Sequence, residues 1–200
     1  AGICAARGQF LVLCHQDVIF SDNWLYNMHN EIKKIGGSVS KWGCIGPAGV
    51  EYQSGNSISY GHVIQGLGDK EQLVTPNRVL HSVQTLDELC IVKTNDGILF
   101  DENIGGWHFY GADICLQYLS NGIPNFAVPL MVRHLSDGYS NLAEKEKYKD
   151  FRNIAKKLKD KWISKFDKIV TFTGMMTRNN DSFAIDAPLM KRGFKVNEWF

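Results

Sequence analysis

Two short apolar runs in this chain end on residues that can bind a metal ion. Phe10 to Cys14 closes on His15-Gln16-Asp17, and "FAVPLMVRHLS" (126–136) closes on His134. Imidazole nitrogens and carboxylate oxygens are both donors for a divalent ion such as Mn²⁺ or Mg²⁺. In open α/β sheets, ligands collect at the carboxyl ends of strands, where loops part and side chains converge. Asp17 and His134 are therefore candidate metal ligands. An ion held there would clamp a diphosphate and neutralise the charge developing on it as it leaves. The local alternative is that His15 and Asp17 cap the next turn and His134 is a satisfied strand-end histidine. Whether Asp17 and His134 meet in space separates the two.

The elements that would position these residues can be read from periodicity. Residues 9–14 form a short, continuous apolar run bounded by polar residues, the pattern of a buried strand. Ser21 or Asp22 can cap a helix running to about Ile35, with Trp24, Leu25, Met28 and Ile32 on one face and Gly36-Gly37 as its stop. "KWGCIGPAG" (41–49) predicts a short strand and a turn. Residues 50–78 are rich in Gly, Ser, Asn and Gln and predict a long irregular segment, with a hairpin around Tyr60 to Ile64. "HSVQTLDELCIVKT" (81–94) alternates like a strand before the turn Asn95-Asp96-Gly97. A helix is expected from Gly111 or Ala112 to Asn121-Gly122, with Ile114, Cys115, Tyr118 and Leu119 inward. A long helix is expected over 142–166, where Tyr148, Phe151, Ala155, Leu158, Trp162 and Phe166 recur at intervals of three and four. "KIVTFTG" (168–174) predicts a further strand.

Composition narrows the class. The 200 residues are 44% hydrophobic and 22% charged, enough for one core-forming domain with or without an appendage. A formal net charge of +1 gives no global attraction to nucleic acid. No stretch approaches the roughly 18 apolar residues of a membrane span, and no signal-peptide pattern opens the chain. Five cysteines without a C-x-x-C predict buried, reduced thiols in a cytoplasmic protein.

Taken in order, the motifs resemble a known family. "AGICAARGQFLVLCHQDV", "LDE", "FDENIGGWHFYGADICLQYLSNGI" and "RHLSDG" follow one another with a Trp-bearing helix and a long loop between. This order resembles the bacterial family 2 glycosyltransferases of GT-A fold whose metal motif reads HQD or HDD. The resemblance covers about residues 1–140. It implies a partial GT-A (Rossmann-like) mixed α/β sheet flanked by helices, with residues 141–200 as a helical extension containing the long C-terminal helix. It places the chain after the family's N-terminal nucleotide-binding half, on the metal and acceptor side. It implies an inverting, metal-assisted transfer of a sugar from a nucleotide-sugar donor to a glycan or lipid-linked acceptor in polysaccharide biosynthesis. The alternative is a non-catalytic sugar- or nucleotide-binding remnant of such an enzyme.

The resemblance also suggests roles. Asp17 and His134 would hold Mn²⁺ or Mg²⁺, and His15 would touch the diphosphate or fix its loop. Relatives carry an acid just before the Asp of "D-I-C-L"; here Gly111 and Ala112 stand in those positions, leaving Asp113 as the nearest candidate base. Asp113 equally suits a helix N-terminus, where the dipole stabilises a carboxylate by roughly 0.3–1 kcal/mol. Trp107, His108 and Tyr110 offer faces for stacking on a sugar, or core packing. Asp101 and Glu102 would bind sugar hydroxyls, or are turn residues. The lysine face of the 142–166 helix offers peripheral contact with the inner face of a membrane, or is a solvated face broken by Glu144, Glu146, Asp150 and Asp160.

Overall fold

A computed structural model describes residues 2–68, 72–74, 79–136 and 144–184. Its elements run α1 Gly2–Ala5, β1 Phe10–Cys14, β2 Val18–Phe20, α2 Trp24–Gly36, β3 Cys44–Gly46, β4 Ala48–Gln53, β5 Asn56–Gly61, β6 Val63–Gln65 and β7 Gln72–Val74. They continue with β8 His81–Val83, β9 Thr85–Leu86, β10 Cys90–Thr94, α3 Tyr110–Ser120, β11 Asn125–Ala127, β12 Val132–His134, α4 Lys145–Trp162, β13 Lys168–Thr171, β14 Gly174–Thr177 and β15 Asp181–Phe183. The architecture is mixed α/β.

The central sheet has the order β1-β10-β3-β11-β8, with β3 and β11 parallel and the other pairs antiparallel. Both of its faces are covered, and the period of two along the strands shows how. Cys90 and Val92 of β10, Ile45 of β3 and Phe126 of β11 pack with Trp24, Met28, Ile32 and Ile35 of α2. Their neighbours Ile91, Cys44 and Ala127 point the other way and pack with Ile114, Cys115 and Tyr118 of α3. A strand buried on both faces reads as a near-continuous apolar run, as β10 does, whereas β1 lies at the sheet edge with only Leu11 buried and Val12 and Cys14 exposed, which corrects the expected buried strand.

Helix α3 is itself sandwiched. Its far side, Ala112 and Leu116, meets Tyr148, Phe151, Ala155, Leu158 and Trp162 of α4 and Ile169, Met176 and Phe183 of the C-terminal strands. Each fully buried Leu, Ile, Met or Phe among them contributes roughly 1.5–3 kcal/mol. The expected helical extension is thus more than a helix. It is α4 followed by the meander β13-β14-β15, and β13 is tied to the body by Thr85 Oγ1 donating to the Val170 carbonyl at 2.6 Å. Residues 142 and 143 of the expected helix lie outside the described residues.

Two local expectations are corrected. The start of α2 lies at Trp24 with Asn23 before it, and no side chain caps it. Residues 48–61 are not irregular: β4 and β5 form a hairpin with Gln53 paired to Asn56. Ser54 and Gly55 between them both have positive φ, 51° and 91°. A two-residue turn of that hand matches strand twist, and the Ser-Gly pair supplies it. The hairpin is therefore centred on Ser54-Gly55, before the expected Tyr60 to Ile64. The cysteines are free as expected, but only Cys44, Cys90 and Cys115 are buried; Cys4 and Cys14 are exposed. Among the described residues, no helix is long and apolar enough to cross a membrane.

Candidate metal centre and adjoining cleft

Strand register brings the first candidate ligands together. β12 runs antiparallel to β2 with His134 opposite Val18, and the Leu135 N–H donates to the Asp17 carbonyl at 2.9 Å. Asp17, the residue before β2, thereby lies beside His134. Their Oδ1 and Nε2 atoms are 3.4 Å apart. His15, three residues before Val18, tilts its ring over His134 with centroids 5.6 Å apart. One ligand atom from each of His15, Asp17 and His134 falls within 4.8 Å of the others.

This donor set fits a divalent ion. Asp17 Oδ1 is buried and has no hydrogen-bond partner. A buried, unpartnered carboxylate oxygen is costly unless something positive meets it. Two imidazoles and one carboxylate leave several positions of a six-coordinate ion for an outside ligand. The carboxylate suits Mg²⁺ or Mn²⁺, and the imidazoles suit Fe²⁺ or Zn²⁺.

A second wall stands beside His15. The His15 N–H continues the β1–β10 ladder by donating to the Leu89 carbonyl at 3.0 Å. This sets the turn Asp87-Glu88, which joins β9 to β10, next to the cluster. Asp87 is held by accepting the Leu89 N–H at 2.9 Å. Glu88 is half-buried, and its backbone carbonyl accepts from the Tyr110 hydroxyl at 3.4 Å. Burial pushes its carboxyl up from the ordinary 4.5 to about 8, helped by the charge of Asp87 and opposed by backbone N–H groups including those of Phe109 and Gly111. Asp87, Glu88, His108, Phe109 and Ala112 line a small cleft closed by Thr171, Phe172 and Thr173 of the β13–β14 turn.

The entry to α3 shapes this cleft. Phe109 is a non-glycine residue at φ 65°, in the left-handed region, yet it is buried against Phe151 with ring centroids 5.0 Å apart. Packing holds a conformation that costs an L-residue about 1–2 kcal/mol. The kink turns His108 toward the cleft while Phe109 enters the core. His108 is held below the usual histidine range, first by burial and then by the charge of His15. The two histidines thus lie within electrostatic reach of each other.

The remaining sequence-predicted residues are placed elsewhere or otherwise engaged. Asp113 is not positioned as a base: it is buried at 1% exposure and its carboxylate is fully used. Oδ1 accepts from Trp162 Nε1 at 2.6 Å and pairs with Lys161 at 2.7 Å, and Oδ2 accepts from Gln117 at 2.9 Å. It clamps α3 to α4. Asp101 pairs with the same Lys161 at 2.7 Å and accepts the Asn103 N–H, which is the turn reading. Glu102 is exposed in that turn. Trp107 is 85% exposed, one residue from His108. Asp87 and Glu88 entered the sequence reading only within "LDE", a motif of the resemblance to which no site role was attached.

No family model matches the chain. Among curated proteins, it is similar to "ATP synthase subunits region ORF 6" of Fuscovulum blasticum, with 26% identity over 133 residues, covering 64% of this chain and 52% of that protein. The chain therefore spans about half the length of this relative, whose name states no substrate or reaction.

Proposed function

We propose that this chain carries the metal and acceptor side of a GT-A-type glycosyltransferase, moving a sugar from a nucleotide-sugar donor to a hydroxyl of a glycan or lipid-linked acceptor. The observation that carries the reading is the meeting of His15, Asp17 and His134 at one point from two separate strand ends. A mixed sheet covered by α2 and α3 also suits a partial GT-A fold. Exposed Trp107 offers an apolar face to a sugar ring beside the cleft. Asp17 and His134, with His15, would hold Mn²⁺, which would supply Lewis-acid stabilisation of the leaving diphosphate. Asp17 would give this site its negative charge, and the imidazoles of His15 and His134 would complete the protein's share of the ligands.

Titration of Mn²⁺ into the protein, followed by the electron paramagnetic resonance signal of free Mn²⁺, tests this. Wild type should bind one ion, and Asp17→Asn and His134→Ala should each abolish binding while leaving the fold intact. Hydrolysis of UDP-glucose or GDP-mannose should then require Mn²⁺. Equal Mn²⁺ binding by wild type and both variants would overturn the metal centre. Mn²⁺-dependent nucleotide binding without turnover of any sugar nucleotide would favour the binding remnant.

A further inference from the structure

We propose that Glu88 is the general base of this site, an assignment that rests on the transfer reading above. Three observations carry it. The first is position. Glu88 precedes Leu89, whose carbonyl receives the His15 N–H, and its side chain lines the cleft together with His108, which is within electrostatic reach of His15. The second is space. A Cβ at Gly111 would lie 3.0 Å from Glu88 Cγ and 2.8 Å from Ile91 Cδ1. The absent side chain at the start of α3 is what lets the Glu88 carboxyl sit there.

The third observation is the state of the neighbouring carboxylates. Asp113 and Asp101 are paired with Lys161, Asp96 is paired with Lys93, and Asp87 is held by the Leu89 N–H. Glu88, like Asp87, meets backbone N–H groups, those of Phe109 and Gly111 among them, and has no lysine or arginine partner at this cleft. The titratable groups around it are Asp87, His108 and Tyr110. Among the described residues that line this cleft there is no lysine or arginine, so no fixed cation holds the Glu88 carboxyl ionised. Its raised proton affinity supports the assignment, because a base works best when its pKa lies near the working pH.

The acceptor O–H gives its proton to a Glu88 carboxylate oxygen while the acceptor oxygen forms a bond to the anomeric carbon of the donor sugar. The bond from that carbon to the diphosphate oxygen breaks, and its electron pair leaves with the nucleoside diphosphate. Protonated Glu88 then returns the proton to solvent. With water as acceptor the same step is donor hydrolysis, and no acceptor need be identified to observe it.

The test uses Glu88→Gln in the full chain, with Mn²⁺ and with UDP-glucose and GDP-mannose as probes, reading released UDP or GDP. Gln keeps the shape and can still accept the N–H groups of Phe109 and Gly111, but it cannot take a proton. Hydrolysis should fall about 10²- to 10⁴-fold, with Mn²⁺ binding and thermal unfolding unchanged. Glu88→Gly combined with Gly111→Asp returns a carboxylate to the same space from α3 and should restore part of the rate. Wild-type hydrolysis by Glu88→Gln would overturn the base while leaving the transfer reading intact, provided Asp17→Asn is inactive. A rate loss accompanied by lost Mn²⁺ binding or a lowered unfolding temperature, with no rescue by the double variant, would make Glu88 a cap of α3 and overturn the assignment. Absence of hydrolysis by wild type with either donor overturns the reaction and the base together.

Discussion

Asp113 bears out one of its two sequence readings, because it lies in the first turn of α3. Its oxygens accept from Trp162, Lys161 and Gln117, which binds it to the core rather than to a substrate. Lys161 is held above its usual range although burial opposes this, because hydrogen bonds to Asp101 and Asp113 outweigh it. Asp113→Ala would strand the Trp162 N–H and remove one partner of Lys161. An orphaned buried donor costs roughly 1–3 kcal/mol and a broken buried ion pair roughly 3–5. Lys161 keeps Asp101 and some solvent, so a loss of about 3 kcal/mol is expected by urea unfolding, with Mn²⁺ binding unchanged. A variant as stable as wild type would show that the clamp contributes little. At this scale, His15, Asp17 and His134 were legible because a polar group that ends an apolar strand stands out. Glu88 was visible only as part of "LDE", because the space it occupies depends on a glycine 23 positions away that only the fold brings against it.

Elements were legible where periodicity was strong. α4 shows its apolar stripe at intervals of three and four, and Tyr148, Phe151, Ala155 and Leu158 are all buried. α3 was legible although it is apolar on two sides, because Asn121-Gly122 stops it. The β4–β5 hairpin was missed because β5 alternates Ser, Ile, Ser and Tyr, a weak pattern, and because Ser-Gly is a less usual pair than Asn-Gly. The turn itself can be probed. Gly55 has φ 91°, and a Cβ there meets nothing within 4 Å, so substitution strains the backbone without a clash. Gly55→Ala should cost about 1–2 kcal/mol, the penalty of left-handed backbone for an L-residue. Ser54→Asn should be neutral or stabilising. Chemical unfolding of both variants checks this; a neutral Gly55→Ala would show that the turn relaxes to another type.

Over the whole molecule, what could not be read was how the C-terminal strands return to the site. Phe172 sits in the β13–β14 turn, and "KIVTFTG" alone gives no sign that this turn closes the cleft holding Asp87, Glu88 and His108. Burial of that cleft has a consequence for global stability. Glu88 holds its proton to about 8 in the folded chain and releases it near 4.5 when unfolded. Over that interval the unfolded state binds fewer protons, so stability falls as pH rises. His108 acts oppositely. Its folded affinity is below the ordinary 6.5, so the unfolded state takes the proton first and stability falls as pH drops below that value. Asp96 is pushed up by burial, but hydrogen bonds from Lys93 and Tyr118 win and hold it below the ordinary 3.8. The Asp101 carboxyl is also lowered, first by its hydrogen bond from Lys161, and both aspartates act on the acid side of this interval. Buried thiols such as Cys90, pushed up to about 12, act above 9. Between pH 6.5 and 8 Glu88 therefore dominates. With EDTA present, urea unfolding should show stability decreasing across that window, by at most about 1.4 kcal/mol per pH unit for one proton. Glu88→Gln should flatten the slope, and His108→Gln should leave it in place. A wild-type slope that is zero or rising there would show that the Glu88 carboxyl ionises at its ordinary value in the folded protein.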